Sequence, residues 1–273
     1  MKWLKAHLTS IILFAVLLTG IGLLVYPTFA DWWNSFHQSR AVASYAEEVA
    51  GMNAEEYEKA LAKAAEYNAQ IRKNGINWTL DEEQEKEYNA QLAVGATGIM
   101  GYIEIPKINV MLPIYHGIEE SVLQVAIGHI PGSSLPVGGK GSHCVISGHR
   151  GLPSAKLFTD IDKLLEGDLF TMTVMNQTLT YEVDQIRVVE PTDLSDLTID
   201  KKEDYVTLVT CTPYGINTHR LLVRGHRIEN INGDAQVIAD ALQIEPEYIA
   251  PFLAVPILII LVIGVFLFSG RRR

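Results

Sequence analysis

Thr207-Leu-Val-Thr-Cys-Thr-Pro-Tyr-Gly-Ile-Asn-Thr-His-Arg-Leu-Leu-Val-Arg-Gly-His-Arg227 reads as two short strands, one ending at Cys211 and one starting at His219, separated by a break at Pro213 and Gly215. The first run delivers a thiol to its end, and the second delivers Arg220 nine residues later. A thiol attacks an acyl carbon only as thiolate, so a working cysteine needs a base or a cationic neighbour and some exposure. A strand end supplies exposure, and Arg220 a permanent positive charge. On the thiol alone, a small buried hydrophobe is the commoner reading of a cysteine in a strand, so the surrounding chain has to decide.

Working outward, Ser142-His-Cys-Val-Ile-Ser-Gly-His-Arg-Gly-Leu-Pro153 is another short β-branched segment, and it leaves an imidazole, His149, at a strand exit. From Ile99 onward, Val-, Ile-, Tyr- and Thr-rich runs alternate with Gly and Pro. They predict strands near 100–105, 109–115, 143–147, 169–175, 178–189, 205–211 and 219–227. That many short strands in so little chain points to a mainly β, closed or sandwiched architecture. One helix is expected to interrupt it, starting near Thr159 with Asp162 as capping partner and ending at Gly167.

With these segments quoted, the chain resembles the sortases of Gram-positive bacteria, and more narrowly class C, the pilin-polymerising sortases. The likeness rests on the Thr-Leu-Val-Thr-Cys run with Arg nine residues on and the Ser-Gly-His-Arg-Gly-Leu-Pro run before it. It extends to Gly101-Tyr-Ile-Glu-Ile-Pro-Lys-Ile-Asn-Val110, Leu112-Pro-Ile-Tyr-His-Gly117 and the Ser-Leu-Pro-Val-Gly-Gly run at Ser134 to Gly139. The resemblance implies an eight-stranded sortase-type barrel with Cys211 as nucleophile, His149 as general acid and base, and Arg220 as donor to the substrate or its oxyanion. It implies no cofactor. The substrate it implies is a surface protein, such as a pilin, with a Leu-Pro-any-Thr-Gly-like sorting signal, joined through its Thr to a pilin lysine. Alternatives left open are a sortase that uses a peptidoglycan cross-bridge amine, a plain thiol hydrolase, and a non-enzymatic membrane-tethered scaffold.

Other residues compete for these roles on chemistry alone. His129 also follows a glycine, but only the flanks of His149 match the family's motif. His219 and His226 fall within the Arg220 strand, while His116 and His143 read as structural or solvated. Arg150, Arg224 and Arg227 have the wrong spacing, and Cys144 lies inside an apolar run as a buried thiol. The two cysteines stand 67 positions apart, without the close ligand pairs typical of zinc. A disulfide between them would consume the nucleophile.

Two apolar runs frame this region. Residues 8–30 follow Lys2 and Lys5, and residues 248–269 precede Arg271, Arg272 and Arg273. Both reach the roughly 20 residues needed to cross a bilayer. The flanking basic residues predict that both termini are cytoplasmic, with the domain between them outside the cell membrane. Trp32, Trp33 and Phe36 suit an interfacial belt. Removing the five basic flanking residues, which have no acidic neighbours in those flanks, from the formal charge of -10 leaves -15 for the outer portion. That balance excludes a nucleic-acid binder, which wants a basic face. The expected organisation is a retained anchor, or alternatively a cleaved signal, at 1–30, a helical spacer at 31–98 with a capping box at Asn53 and Glu56, a β-barrel at 99–230, a linker at 231–247 and a second span with basic tail at 248–273. The resemblance breaks at one place. Class C enzymes usually carry a lid with an Asp-Pro-aromatic motif, and residues 31–100 have none. The expectation is an open site, with a lid built on the Trp78 segment as the alternative.

Overall fold

The computed structural model describes residues 2–95 and 97–230. Eight strands close into a barrel: β1 (Ile99–Ile105), β2 (Val110–His116), β3 (Ile127–His129), β4 (Ser142–Ser147), β5 (Leu169–Val174), β6 (Gln177–Val189), β7 (Asp204–Thr212) and β8 (His219–Ile228). Around the barrel the order is β1-β2-β3-β4-β7-β8-β6-β5. β2 pairs parallel with β3, and β4 parallel with β7, while the remaining ladders are antiparallel. Closure leaves no sheet edge unpaired. Alternate residues fill the interior, among them Ile103, Ile105, Ile114, Phe170, Leu208 and Val223, all fully buried.

Three helices precede the barrel: α1 (Lys2–Gly51), α2 (Ala54–Asn74) and α3 (Glu82–Asn89). The chain divides into two units, one up to Trp33 and another from Asn34. Within the second unit the helices pack against the barrel. Tyr45 of α1, Ala64, Tyr67 and Ile71 of α2 and Tyr88 of α3 share a core with Met100, Leu135 and Met175 of the barrel. The capping box is present, with Asn53 Oδ1 accepting from Glu56 N and Glu56 returning the bond to Asn53 N. Beyond it, the buried face of α2 recurs at helical spacing through Ala64, Tyr67, Asn68 and Ile71. Buried polar groups fix the docking: Tyr45 OH donates to Met100 O and accepts from Met175 N, and Asn68 bonds both the N–H and the carbonyl of Leu135. A spacer would leave this apolar face in water, so packing against the barrel wins.

Two further differences from the sequence reading have local causes. β3 was not among the expected strands, because three residues are too short to show alternation. The helix expected from Thr159 is only a 3-10 turn, Ile161–Lys163. Thr159 Oγ1 is taken by Gly151 N, and Asp162 is drawn to Arg150, so neither caps a helix. Among the described residues one helix, spanning Ser10–Gly51 by hydropathy, is long and apolar enough to cross a membrane. The expectation of two spans thus rests on a single described helix. The linker at 231–247 and the second span at 248–273 lie outside the described residues.

Candidate active site

The parallel β4–β7 ladder sets Ser142 against Asp204 and Ser147 against Val209, a constant offset. Past the end of β4 the two chains stay stitched together: Gly148 N donates to Val209 O at 3.1 Å, Thr210 Oγ1 to Gly148 O at 2.7 Å, and Arg150 Nη1 to Thr212 Oγ1 at 3.2 Å. The ladder ends at Ser147 and Val209, two residues short of His149 and Cys211 respectively. On the other side of β7, the antiparallel ladder pairs Cys211 with Arg220 and continues from Arg220 to Val189 on β6. Cys211 and Arg220 are thus direct cross-strand partners, and His149 follows the end of the neighbouring β4 on the same side of the barrel.

Strand alternation also decides which way the pair faces. Two residues along their strands from Cys211 and Arg220, Val209 and Leu222 share a small cluster with Val145 and Leu197 on the outside of the barrel. Because side chains repeat every second residue of a strand, Cys211 and Arg220 project to that outer side. Gly148 makes the approach possible, since a Cβ there would stand 2.7 Å from Phe158 and 2.8 Å from Ile127. Gly151, at φ +79°, turns the chain beneath the Tyr214 ring.

The three groups are in different surroundings. Cys211 is half-buried, whereas Cys144 is fully enclosed and burial pushes its thiol well above the ordinary range. The Arg220 guanidinium donates to the carbonyls of His219 and Asn217. Among the described residues it has no carboxylate partner, so its charge is oriented by its own turn without being neutralised. His149 Nε2 is buried without a hydrogen bond, and the nearest acid is Glu120 Oε2 at 3.6 Å. Glu120 lies on α4 (Glu120–Leu123), a single turn between β2 and β3. No sequence motif pointed to it.

The competing histidines are elsewhere. His129 stacks on Tyr88, with its ring nitrogens at Tyr88 OH and Ser134 O. His143 bridges Thr198 O and Thr207 Oγ1. Burial, opposed in each case by a backbone bond, holds both imidazoles down at about 4, so they are neutral fixtures of the fold. His116 bonds Gly98 O and Gln91 O, and His219 faces Glu190 at 3.3 Å. Arg224 grips Asp184 through two bonds and lies over Tyr205, and Arg227 bonds Thr180 O. Among the described residues no cluster of His, Cys, Asp and Glu could hold a metal ion.

The segment between α2 and α3 lies over the apolar row next to the thiol. Trp78 packs with Ile130 and Val189 against the Val145, Val209 and Leu222 cluster, and Asn77 O comes up against Gly132. A cavity of about 120 Å³ remains under this strap, lined by Tyr67, Ile71, Asn77, Leu80 and Gly132 among others. Trp78 thus covers the apolar residues next to Cys211, while Cys211 itself keeps some exposure.

Comparison with known proteins agrees with this architecture. The family model described as the sortase domain matches residues 103–228. Sortase C1 from Streptococcus agalactiae superposes with a TM-score of 0.69 at 56% identity, over 70% of this chain and 99% of that one. Sortase C from Streptococcus pneumoniae gives 0.63 at 43% identity, over 70% and 97%. Sortase D of Bacillus subtilis is 30% identical over 131 residues, 47% of this chain and 63% of that protein, so the match spans just under two thirds of it. Barrel order, domain match and near-complete overlap with solved class C structures agree, and the chain belongs to the sortase family of cysteine transpeptidases.

Proposed function

We propose that this sortase cleaves a Leu-Pro-any-Thr-Gly-like sorting signal after Thr and joins the acyl group to a lysine of a pilin subunit. The observation that carries the reading is the direct pairing of Cys211 with Arg220, with His149 just past the end of the neighbouring β4. On this reading the three groups act on one peptide carbonyl. The Cys211 thiolate attacks the threonine carbonyl carbon, forming a C–S bond and a tetrahedral oxyanion. Arg220 donates to that oxyanion, a contribution of about 3 kcal/mol by analogy with one oxyanion-hole donor. As the intermediate collapses, the C–N bond breaks and His149 protonates the departing amine. The incoming lysine amine then attacks the thioacyl carbon, gives its proton to His149, and expels Cys211 as thiolate. Water in place of the amine would give hydrolysis.

The pilin acceptor is supported by the class C neighbours, which include a Streptococcus pneumoniae sortase C whose structure is described in terms of pilin substrate specificity. An extended sorting signal lying along the Val209 row would occupy the place of Trp78, so the strap would swing aside on binding. Lys2 and Lys5 before the apolar half of α1 support the reading of a cytoplasmic amino terminus and an external barrel. The test is incubation of the purified protein with pilin and, separately, with a cross-bridge peptide. Covalent pilin ladders that vanish in Cys211→Ala, with no cross-bridge adduct, are expected. Cross-bridge adducts without ladders would overturn the pilin assignment, and ladders persisting in Cys211→Ala would overturn the nucleophile.

A further inference from the structure

We propose that Glu120 is a positioning residue for His149, holding the Nε2–H of the imidazole so that Nδ1 is left to exchange protons with the reacting groups. This rests on the sortase reading of the site. Three observations carry it. Glu120 Oε2 stands 3.6 Å from His149 Nε2, and that nitrogen is shielded from water with no other partner, although His149 as a whole is 28% exposed. A buried N–H without an acceptor is costly, and a small closing movement of the 71% exposed Glu120 side chain would satisfy it. The carboxylate is also braced from behind, since Gln124 Nε2 donates to Glu120 Oε1 one turn along α4.

The third observation is that both walls of this contact are tied to the same helix. From α1, Gln38 Nε2 donates to Val125 O at 2.7 Å, just past the end of α4. Four residues earlier, Asn34 Nδ2 donates to Ser154 O at 2.6 Å, in the loop that follows His149. One rigid face of α1 thus fixes the acid-bearing turn and the histidine-bearing loop relative to each other. A third group orienting a base is the recurring solution wherever a nucleophile and an imidazole act together. The carboxylate is set up for it: Gln124, and then His149, hold the Glu120 carboxyl below its ordinary range, so it is an anion at neutral pH.

The charged groups around His149 are Glu120 from α4, Cys211 from β7, Arg220 from β8, and Arg150 with its partner Asp162 from the loop itself. Of these, Glu120 is the unneutralised anion on the Nε2 side. Removing it leaves the buried Nε2 without an acceptor, so the imidazole is free to turn away from the reacting groups.

The experiment measures kcat and KM for the protein in detergent micelles, using a Leu-Pro-any-Thr-Gly peptide and an amine acceptor. Expected for Glu120→Gln is a several-fold loss in kcat at unchanged KM, partly restored in Glu120→Asp. Gln124→Ala should do the same more weakly, and Glu119→Gln, one residue away, should leave both constants in place. A Glu120→Gln variant with the parent's kcat, or a loss carried by KM alone, overturns the inference. His149→Ala separates the two levels. If it retains turnover, the reading of the site fails. If it is inactive while Glu120→Gln is unaltered, only the role of Glu120 fails.

Discussion

Lowering the pH from 7 to 5 should remove a large part of the barrel's stability through two imidazoles that the mechanism does not use. His129 and His143 fall from the ordinary 6.5 to about 4 in the folded state, chiefly because burial disfavours their charged form. The unfolded chain therefore takes up two protons near pH 6.5 that the folded chain refuses until about pH 4. Stability is fully present above the unfolded value and is lost as the pH falls between these limits. At about 1.4 kcal/mol per pH unit, the two together lose about 4 kcal/mol by pH 5. Asp204 works in the opposite sense: burial raises its carboxyl against the bonds from Gly139, Tyr181 and Ser142, so its protonation favours the folded state. Its share grows toward the ordinary carboxylate range, so the comparison stops at pH 5. With a urea dependence of about 2 kcal/mol per molar, the unfolding midpoint should drop by about 2 M between pH 7 and 5. His143→Gln should halve that dependence, whatever its starting stability. A midpoint constant to within a few tenths molar over this range would refute the buried, neutral state assigned to both residues.

Arg220→Lys should keep the fold and lower kcat/KM by about 10²-fold or more, because an ammonium keeps the charge but loses the planar fork aimed by the His219 and Asn217 carbonyls. Steady-state peptide cleavage checks this, and an active lysine variant would reduce Arg220 to a point charge. Trp78→Ala should accelerate alkylation of Cys211 several-fold by uncovering the Val209 row. Rates equal to the parent's would mean that the strap does not limit access. Tyr45→Phe should cost about 2 kcal/mol in urea unfolding, since it leaves Met175 N and Met100 O buried without their partner. A neutral result would show that water replaces the hydroxyl.

Much of the β-region could be read directly from the chain. Seven of the eight strands announce themselves as β-branched runs between Gly and Pro, and only β3 is too short to do so. Cys211, His149 and Arg220 could be singled out because their residue types and flanking runs are local properties. Glu120 could not, because one exposed acid on a single helical turn looks like any solvated charge. The helices before the barrel were legible as helices, yet their role was not. Tyr45, Tyr67 and Tyr88 carry no mark of the surface they cover. The turn after Thr159 was misread because capping residues at the right spacing had partners distant in sequence, Gly151 and Arg150.

By itself the sequence determined the chemistry on offer: a thiol, an imidazole and a guanidinium, each at the end of a β-prone run, because alternation and chain breaks act over a few residues. Only the tertiary structure decided which of these ends become neighbours. β4 and β7 become parallel partners across an intervening hairpin, and β7 and β8 pair Cys211 with Arg220. That register follows from closing the barrel over one buried face, where a slip of one residue would turn every core side chain outward.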